Sequence, residues 1–556
     1  MKRVSIAVIT VFALVMVVSS AWAISVEVNK SGTYKTIQAG IDKCQEANDG
    51  ADIVTITDSA TYEEAFWIGN PDVNISPVTL TSNKTGDARP IISPLTAYGP
   101  LVETNSTARM AGTAVTSNGS VLSNLIIESN PDTGSGNGAS TIHVEANDVV
   151  IENCLIRPRA GTAGCTKFPN SALFLSQYGA GGIPGDERRC NGVIIRNCDF
   201  WGVATDGQPE PTNAVPGGWL IEYENGQFAT FIRCDAFANG QENNIEVLID
   251  NCSFRYSYDA GLFPSSRGDA TGRIKWTVRD CYFDAFGKFA VRSRGADLIV
   301  ERCVFSRTNN GPHGDGENSA VAAQTQGQNN PYTEVSNCLF VNCGGVHAKK
   351  GYYGGINNHN AIEIKANHCT FDLCTSGVTV GAGNGELIIS NSIFNRIGYN
   401  RAPAVWYDGL PPENNDPFIT WDSINFNPMV TAVFNDYAVG GALITVNNCL
   451  VGQVADEQTD WATADPANPA GTFFAYGNVE GLDTVTRGDP AFANDDFFGA
   501  NPYQLTAGSP AIDKGVAAEP AIGTLDVDGT PRVVGAAADL GCQELPGASV
   551  RDWSIF

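Results

Sequence analysis

Positive charge, histidine and methionine are scarce in this chain: 34 Lys and Arg stand against 60 Asp and Glu among 556 residues, with 5 His and 4 Met. So acidic a surface repels phosphate, which excludes general binding to nucleic acid or to an anionic membrane. Long apolar runs are also lacking. The first, Val4–Val18, falls short of the roughly 20 residues a membrane span needs, and no later segment is longer. Charged residues are only 17% of the chain and hydrophobic ones 43%, so disorder is excluded, and 59 glycines indicate a turn-rich, β-dominated protein. At this length a minimal disulfide scaffold is excluded as well.

The first residues follow the order of a secretory leader. Met1-Lys2-Arg3 supplies the charge, the apolar run follows, and Ser19-Ser20-Ala21-Trp22-Ala23 supplies small residues before a cut. The expected location is outside the cytoplasm: secreted, extracellular or periplasmic. Removal of residues 1–23 leaves 32 basic against 60 acidic residues, a net charge near −28.

One short pattern recurs along the remainder: apolar-x-apolar-x-(Asn or Asp)-Cys-x-Phe. It is seen at Val149 to Ile156, Val193 to Phe200, Val247 to Phe254, Thr277 to Phe283, Leu298 to Phe305, Thr333 to Phe340, Ile364 to Phe371, Leu387 to Phe394 (with Ser392 for Cys) and Ile444 to Val451. Its parity contains a corner. Val193 and Ile195 are two apart, as in a strand, but Ile195 to Cys198 is a step of three. Asn or Asp before the cysteine suits that corner, because these residues tolerate the left-handed backbone of a sharp bend. Cysteine spacings of 18, 29, 22, 35 and 31 between positions 234 and 369 share a minimum near 20, so each unit is one coil with loops of unequal length. Such coils stack as a solenoid.

Nine cysteines, 154, 198, 234, 252, 281, 303, 338, 369 and 449, read as a buried row of small apolar side chains. Stacked coils offer one thiol per layer and no convergent set of four for a metal. Cys343 and Cys374 each follow a repeat cysteine by five residues in consecutive coils, and so are candidates for a disulfide, as are Cys165 and Cys190, which bracket one long loop. Cys44 and Cys542 are expected to be free or buried.

The repeat resembles that of the pectin-lyase-like right-handed parallel β-helix superfamily. Gly32-Thr33-Tyr34-Lys35-Thr36-Ile37-Gln38-Ala39-Gly40-Ile41-Asp42 looks like its N-terminal cap helix, while Asp489-Pro490-Ala491-Phe492, Ser509-Pro510-Ala511-Ile512-Asp513, Asp526-Val527-Asp528-Gly529-Thr530-Pro531-Arg532 and Asp539-Leu540-Gly541 are similar to the closing segment of many exported bacterial β-helix proteins. The resemblance implies an all-β, right-handed parallel β-helix. Its expected organisation is a leader (1–23), a cap with the first coils (24–115), repeats (116–455) with a long insertion (395–443), a C-terminal coil and capping segment (456–545) and a tail (546–556). Family catalytic signatures are incomplete here. Arg273-Ile274-Lys275, Cys198-Asp199-Phe200-Trp201-Gly202 and Arg157-Pro158-Arg159 each match only a fragment of a known element.

In this superfamily the substrate groove usually runs along the outer face of the strand that follows the loop after Cys-x-Phe. With Phe289 and Val291 inward, alternation turns Lys288, Ala290 and Arg292 outward, then Ala320 and Ala322, then His347 and Lys349. Arg292 and Lys349 would then share a column about 10 Å apart. From Arg255 to Arg307 ten basic residues stand against six acidic ones, a local surplus in an acidic chain. The loop after Phe305 adds His313, Asp315 and Glu317; the two carboxylates could hold Ca²⁺ through oxygen ligands, although fewer than six are identifiable.

These groups suit an acidic, uronate-containing polysaccharide. Elimination across a uronate needs its carboxylate neutralised, a base for the adjacent proton and an acid for the leaving oxygen. Arg292 is the candidate for the first, Lys349 for the second, and His313 or His347 for the third. Lys288, Arg294 and Arg307 are further substrate-binding candidates, and Trp406, Tyr407 and Trp421 in the insertion could stack on sugar rings. The expected function is thus an exported carbohydrate-active β-helix, polysaccharide-lyase-like with glycoside hydrolysis as second choice. A non-catalytic structural, adhesion or matrix protein is the alternative. Oligomeric state is not legible in the sequence.

Overall fold

The computed structural model describes residues 23–47, 50–69, 76–95, 111–129, 140–159, 171–176, 190–202, 214–215, 218–219, 230–237, 245–257, 260–267, 273–286, 289–308, 319–325, 331–350, 362–374, 376–381, 385–397, 433–435, 443–452, 475–476, 479–495, 502–516 and 525–545. Their strands form three parallel sheets of 14, 12 and 13 strands, plus one small antiparallel pair. Each coil contributes one strand to each large sheet, which is a parallel β-helix. In the fourteen-stranded sheet Ile151, Ile195, Ile249, Val278, Val300, Val335, Ala366, Ile389 and Val446 form one inward column in register, all fully buried.

The corner read from the repeat joins this sheet to the thirteen-stranded one. At the residue before the cysteine φ is 53° at Asn153 and Asn197, 50° at Asn251, 57° at Asp280, 54° at Asn337, 48° at Asn391 and 52° at Asn448. Arg302 and His368 take the same left-handed corner, with φ 50° and 51°. Stacking of side chains rewards the bend: Asn251 Nδ2 donates to Asn197 Oδ1 at 2.8 Å, and Asn448 Nδ2 to Asn391 Oδ1 at 2.9 Å. Arg302 instead reaches back to Asp280 in the coil before, at 2.9 Å.

Past the corner the cysteines form a continuous row. Asp199 N–H donates to Cys154 O, Ser253 to Cys198, Tyr282 to Cys252, Val304 to Cys281, Leu339 to Cys303, Thr370 to Cys338 and Ile393 to Cys369, all at 2.9–3.0 Å. Ser392 and then Cys449 continue it, through Leu450 N–H and Thr486 N–H. Burial pushes the Cys369 and Cys449 thiols up to about 12. Two residues on, Phe200, Phe254, Phe283, Phe305, Phe340, Phe371 and Phe394 stack with ring centroids 4.7–5.0 Å apart. Each buried ring contributes about 2–3 kcal/mol of hydrophobic stabilisation.

Cys234 does not belong to this row. It lies in the twelve-stranded sheet, paired with Leu175 and Pro264, although its side chain also faces the core. The sequence Arg233-Cys234 imitates Arg302-Cys303, but Arg233 sits within a strand and not at the corner. Among the other cysteines, Cys44 and Cys542 are buried free thiols. Cys190 is buried, its sulfur 3.1 Å from Val144 O, and Cys165, its candidate partner, lies outside the described residues. Cys343 and Cys374 stand as thiols 3.9 Å apart.

The cap helix spans Ile37–Ala47, with Ile37, Ile41 and Cys44 turned into the core. Glu64 accepts from the Ile37 and Gln38 amides at 2.8 and 3.3 Å, satisfying donors that a helix start leaves over. The C-terminal residues return along the outer face of the thirteen-stranded sheet. Tyr503, Val527 and Cys542 pack on Tyr282, Val304, Leu339 and Val341, while Leu505, Ala511 and Leu540 pack on Ile393 and Leu450. Polar contacts fasten them: the Tyr503 hydroxyl donates to buried Asp372 at 2.8 Å, and Cys542 N–H to Thr370 Oγ1 at 3.0 Å. No helix among the described residues is long and apolar enough to cross a membrane.

Candidate functional site

The strands that follow the loop after Cys-x-Phe form the twelve-stranded sheet, and the positions of Arg292, Arg294, His347 and Lys349 fall on two of them. Alternation is interrupted where each strand enters the core. Ala290 and Val291 both belong to the main core, as do Ala320 and Val321, whereas Phe289 lies on the outer side with Ala260 and Ala322. The expectation that Phe289 points inward and Ala290 and Ala320 outward is therefore corrected. The cause is a bend at this position. Pairing runs Ala260 to Phe289 and then Leu262 to Val291, passing over Gly261. A Cβ at Gly261 would lie 2.5 Å from Ala290 O and 2.9 Å from the Phe286 ring, so only glycine fits that approach.

Beyond the bend, strict alternation resumes. Arg292 pairs with Ala322 and Ala322 with His347, while Arg294 pairs with Gln324 and Gln324 with Lys349. Arg292 thus shares its column with His347 and not, as expected, with Lys349; Lys349 occupies the register of Arg294. Two strand spacings, about 10 Å, separate the members of each column. Ala322, a small residue, lies between Arg292 and His347.

The two arginines converge on an aromatic ring. The Arg292 guanidinium lies 5.2 Å from the Phe263 centroid and 5.0 Å from that of Phe289, and Arg294 lies 5.0 Å from Phe263. A third, Arg233, approaches the same ring at 5.5 Å from the other side. Cation–π contact of this kind orients a guanidinium. Arg292 and Arg294 are 9% and 8% exposed, so the cluster lies in a low-dielectric setting where charge acts strongly.

Four of the ten cations counted from Arg255 to Arg307 are paired elsewhere. Arg273 pairs with Asp297 at 2.6 Å, Arg279 with Asp250 at 2.9 Å and Arg302 with Asp280 at 2.9 Å. Arg307 lies in the thirteen-stranded sheet, where its Nε meets Asp284 at 2.6 Å in a two-point pair. These are ties between neighbouring coils.

Lys288, His313, Asp315, Glu317, Trp406, Tyr407 and Trp421 lie outside the described residues. Among the described residues no group of three or more His, Cys, Asp or Glu is arranged to hold a metal ion. Arg233 and Phe263 were missed by sequence reading. Their signal was the strand position itself: once Cys234 is placed on the core side, its neighbour Arg233 must face out. Further along the same outer column, His143 stacks on Phe174 at 5.5 Å.

No family model and no curated protein matches the chain. Among solved structures it is similar to a pectate lyase (10% identity, 94% of this chain and 98% of that one, TM-score 0.38). It is also similar to an alginate lyase from Paenibacillus sp. str. FPU-7 (13%, 65% and 97%, 0.35) and a polysaccharide lyase from Pseudopedobacter saltans (9%, 85% and 94%, 0.41). At such scores these likenesses carry no argument. The fold rests on the chain's own three sheets: it is a parallel β-helix, the architecture its repeat resembles.

Proposed function

We propose that this is an exported protein that binds an acidic polysaccharide on the outer face of the twelve-stranded sheet and cleaves it by elimination. The observation that carries this reading is the register of Arg292 and Arg294, two strands from His347 and Lys349. In the proposed step, Arg292 and Arg294 neutralise a uronate carboxylate, which acidifies the adjacent C5–H. The Lys349 amine takes that proton, the electron pair forms the C4–C5 double bond, and the C4–O bond breaks as His347 gives a proton to the leaving oxygen.

The test is incubation with a panel of uronate and neutral polysaccharides, with and without Ca²⁺, following unsaturated products and reducing ends separately. Unsaturated products from a uronate polymer support the reading. Reducing ends without unsaturation would replace elimination by hydrolysis. The near-complete burial of Arg292 and Arg294 against Phe263 favours a second reading, a structural or adhesive β-helix in which these cations only pack. Absence of binding across the panel would select it.

A further inference from the structure

Cys343 and Cys374 stand apart from the long thiol row. They occupy the second corner of their coils, where the chain leaves the thirteen-stranded sheet for the twelve-stranded one; Asn342 and Leu373 just before them have φ 53° and 52°. The same corner carries Arg307 and Thr308 in the coil before, and Arg396 and Ile397 in the coil after. Each of the two cysteines therefore has only the other as a neighbouring thiol at this corner. Their sulfurs are 3.9 Å apart, with the residues 1% and 0% exposed. Adjacent parallel strands lie about 4.8 Å apart, inside the roughly 4.4–6.8 Å Cα range of a disulfide, so side-chain rotation suffices to close the gap.

We infer that Cys343 and Cys374 form an inter-coil disulfide when the chain folds under oxidising conditions, the oxidant being available through the export proposed above. The bond forms by exchange. One thiolate attacks a low-molecular-weight disulfide such as oxidised glutathione, and the second displaces the mixed disulfide; the two thiols lose two protons and two electrons, and the oxidant leaves as two thiols. The bond has a location that matters. Cys343 directly precedes the strand Gly344–Lys350, which holds His347 and Lys349, and Cys374 lies two residues before Ser376–Gly381, the strand paired with it. A covalent tie here fixes the entry of both strands and hence the register of the candidate site.

The full chain, reduced and unfolded, is refolded in mixtures of reduced and oxidised glutathione, alkylated and mapped by mass spectrometry. The expected result is a peptide pair linked through Cys343 and Cys374 that vanishes on reduction. The oxidised protein should melt a few degrees higher than the reduced protein. Amides 344–350 should also exchange more slowly when oxidised. A double Cys343→Ser, Cys374→Ser variant should show none of these redox differences; should it fail to fold, the comparison of oxidised with reduced wild type still decides. Recovery of both residues as thiols from folded protein refolded with excess oxidised glutathione would overturn the inference. Cellular location is read separately, by fractionation, and bears on export alone.

Discussion

Arg292 and His347 stand in one outer column of the twelve-stranded sheet with Ala322 between them, while Lys349 stands in the column of Arg294. This pairing assigns separable roles. Arg292→Ala or Arg294→Ala should weaken binding of a uronate polymer about tenfold each, because each removes one guanidinium from the anion's surroundings. Lys349→Ala should leave binding within a fewfold and lower turnover by about 10²–10⁴, the usual worth of a general base. Turnover assays and calorimetric titrations on the same preparations separate the two effects.

Phe263 is expected to act through the arginines. With Phe263→Leu the rings' contact with Arg233, Arg292 and Arg294 is lost while most apolar volume stays. Binding of the uronate polymer should fall with little change in melting temperature. A large loss of stability with unaltered affinity would show that the ring serves packing alone.

The inner row gives a stability prediction. Cys303→Asp would place an unpartnered carboxylate among fully buried neighbours and should prevent folding or cost several kcal/mol. Phe305→Ala, in the middle of the stacked rings, should cost about 3–5 kcal/mol. Ser392→Cys completes the row and should shift stability by no more than about 1 kcal/mol. Denaturant unfolding measures all three. Native-state thiol labelling should be slow at every row cysteine.

Acid should loosen the C-terminal segment through His368. Burial, then the Arg532 guanidinium, hold this imidazole's pKa well below its usual value of 6.5. The folded state therefore keeps His368 neutral where the unfolded chain binds a proton. Stability tied to it is complete above about pH 6.5 and falls as pH drops below that, by up to about 1.4 kcal/mol per unit until the folded pKa is reached. His368→Asn keeps a residue suited to the left-handed corner, as at Asn337 and Asn391, but removes the titration. Unfolding of the variant should be flatter between pH 6.5 and 5 than that of the wild type.

The core was legible because its signal repeats: Asn-Cys-x-Phe marks corner, row and stack at once, and nine copies average out irregularities such as Arg302 and His368. The outer face was less so. Arg292 is legible as outward from Val291, but its column partner required the true register: Val291 lies ten residues after Cys281, whereas Val346 in the same column lies only eight after Cys338, so counting from the cysteines moves the column by two. Cys234 misled for a similar reason. A cysteine preceded by arginine satisfies the corner pattern as text, and only the strand pairing of Leu175 with Cys234 reveals that Arg233 points to the arginine–phenylalanine cluster. Charge counting was misleading because pairs such as Arg307 with Asp284 join residues 23 apart in sequence.

The face around Phe263 is the proposed binding surface for an acidic polysaccharide. Its most direct test is calorimetric titration of the wild type, an Arg292→Ala, Arg294→Ala double variant and a Lys43→Ala control on the cap helix with a defined polyuronate at two salt concentrations. Wild type and control should bind with an affinity that weakens with salt, and the double variant should bind at least tenfold more weakly and with less salt sensitivity. Equal affinity in all three proteins, or no binding by the wild type at low salt, would contradict it.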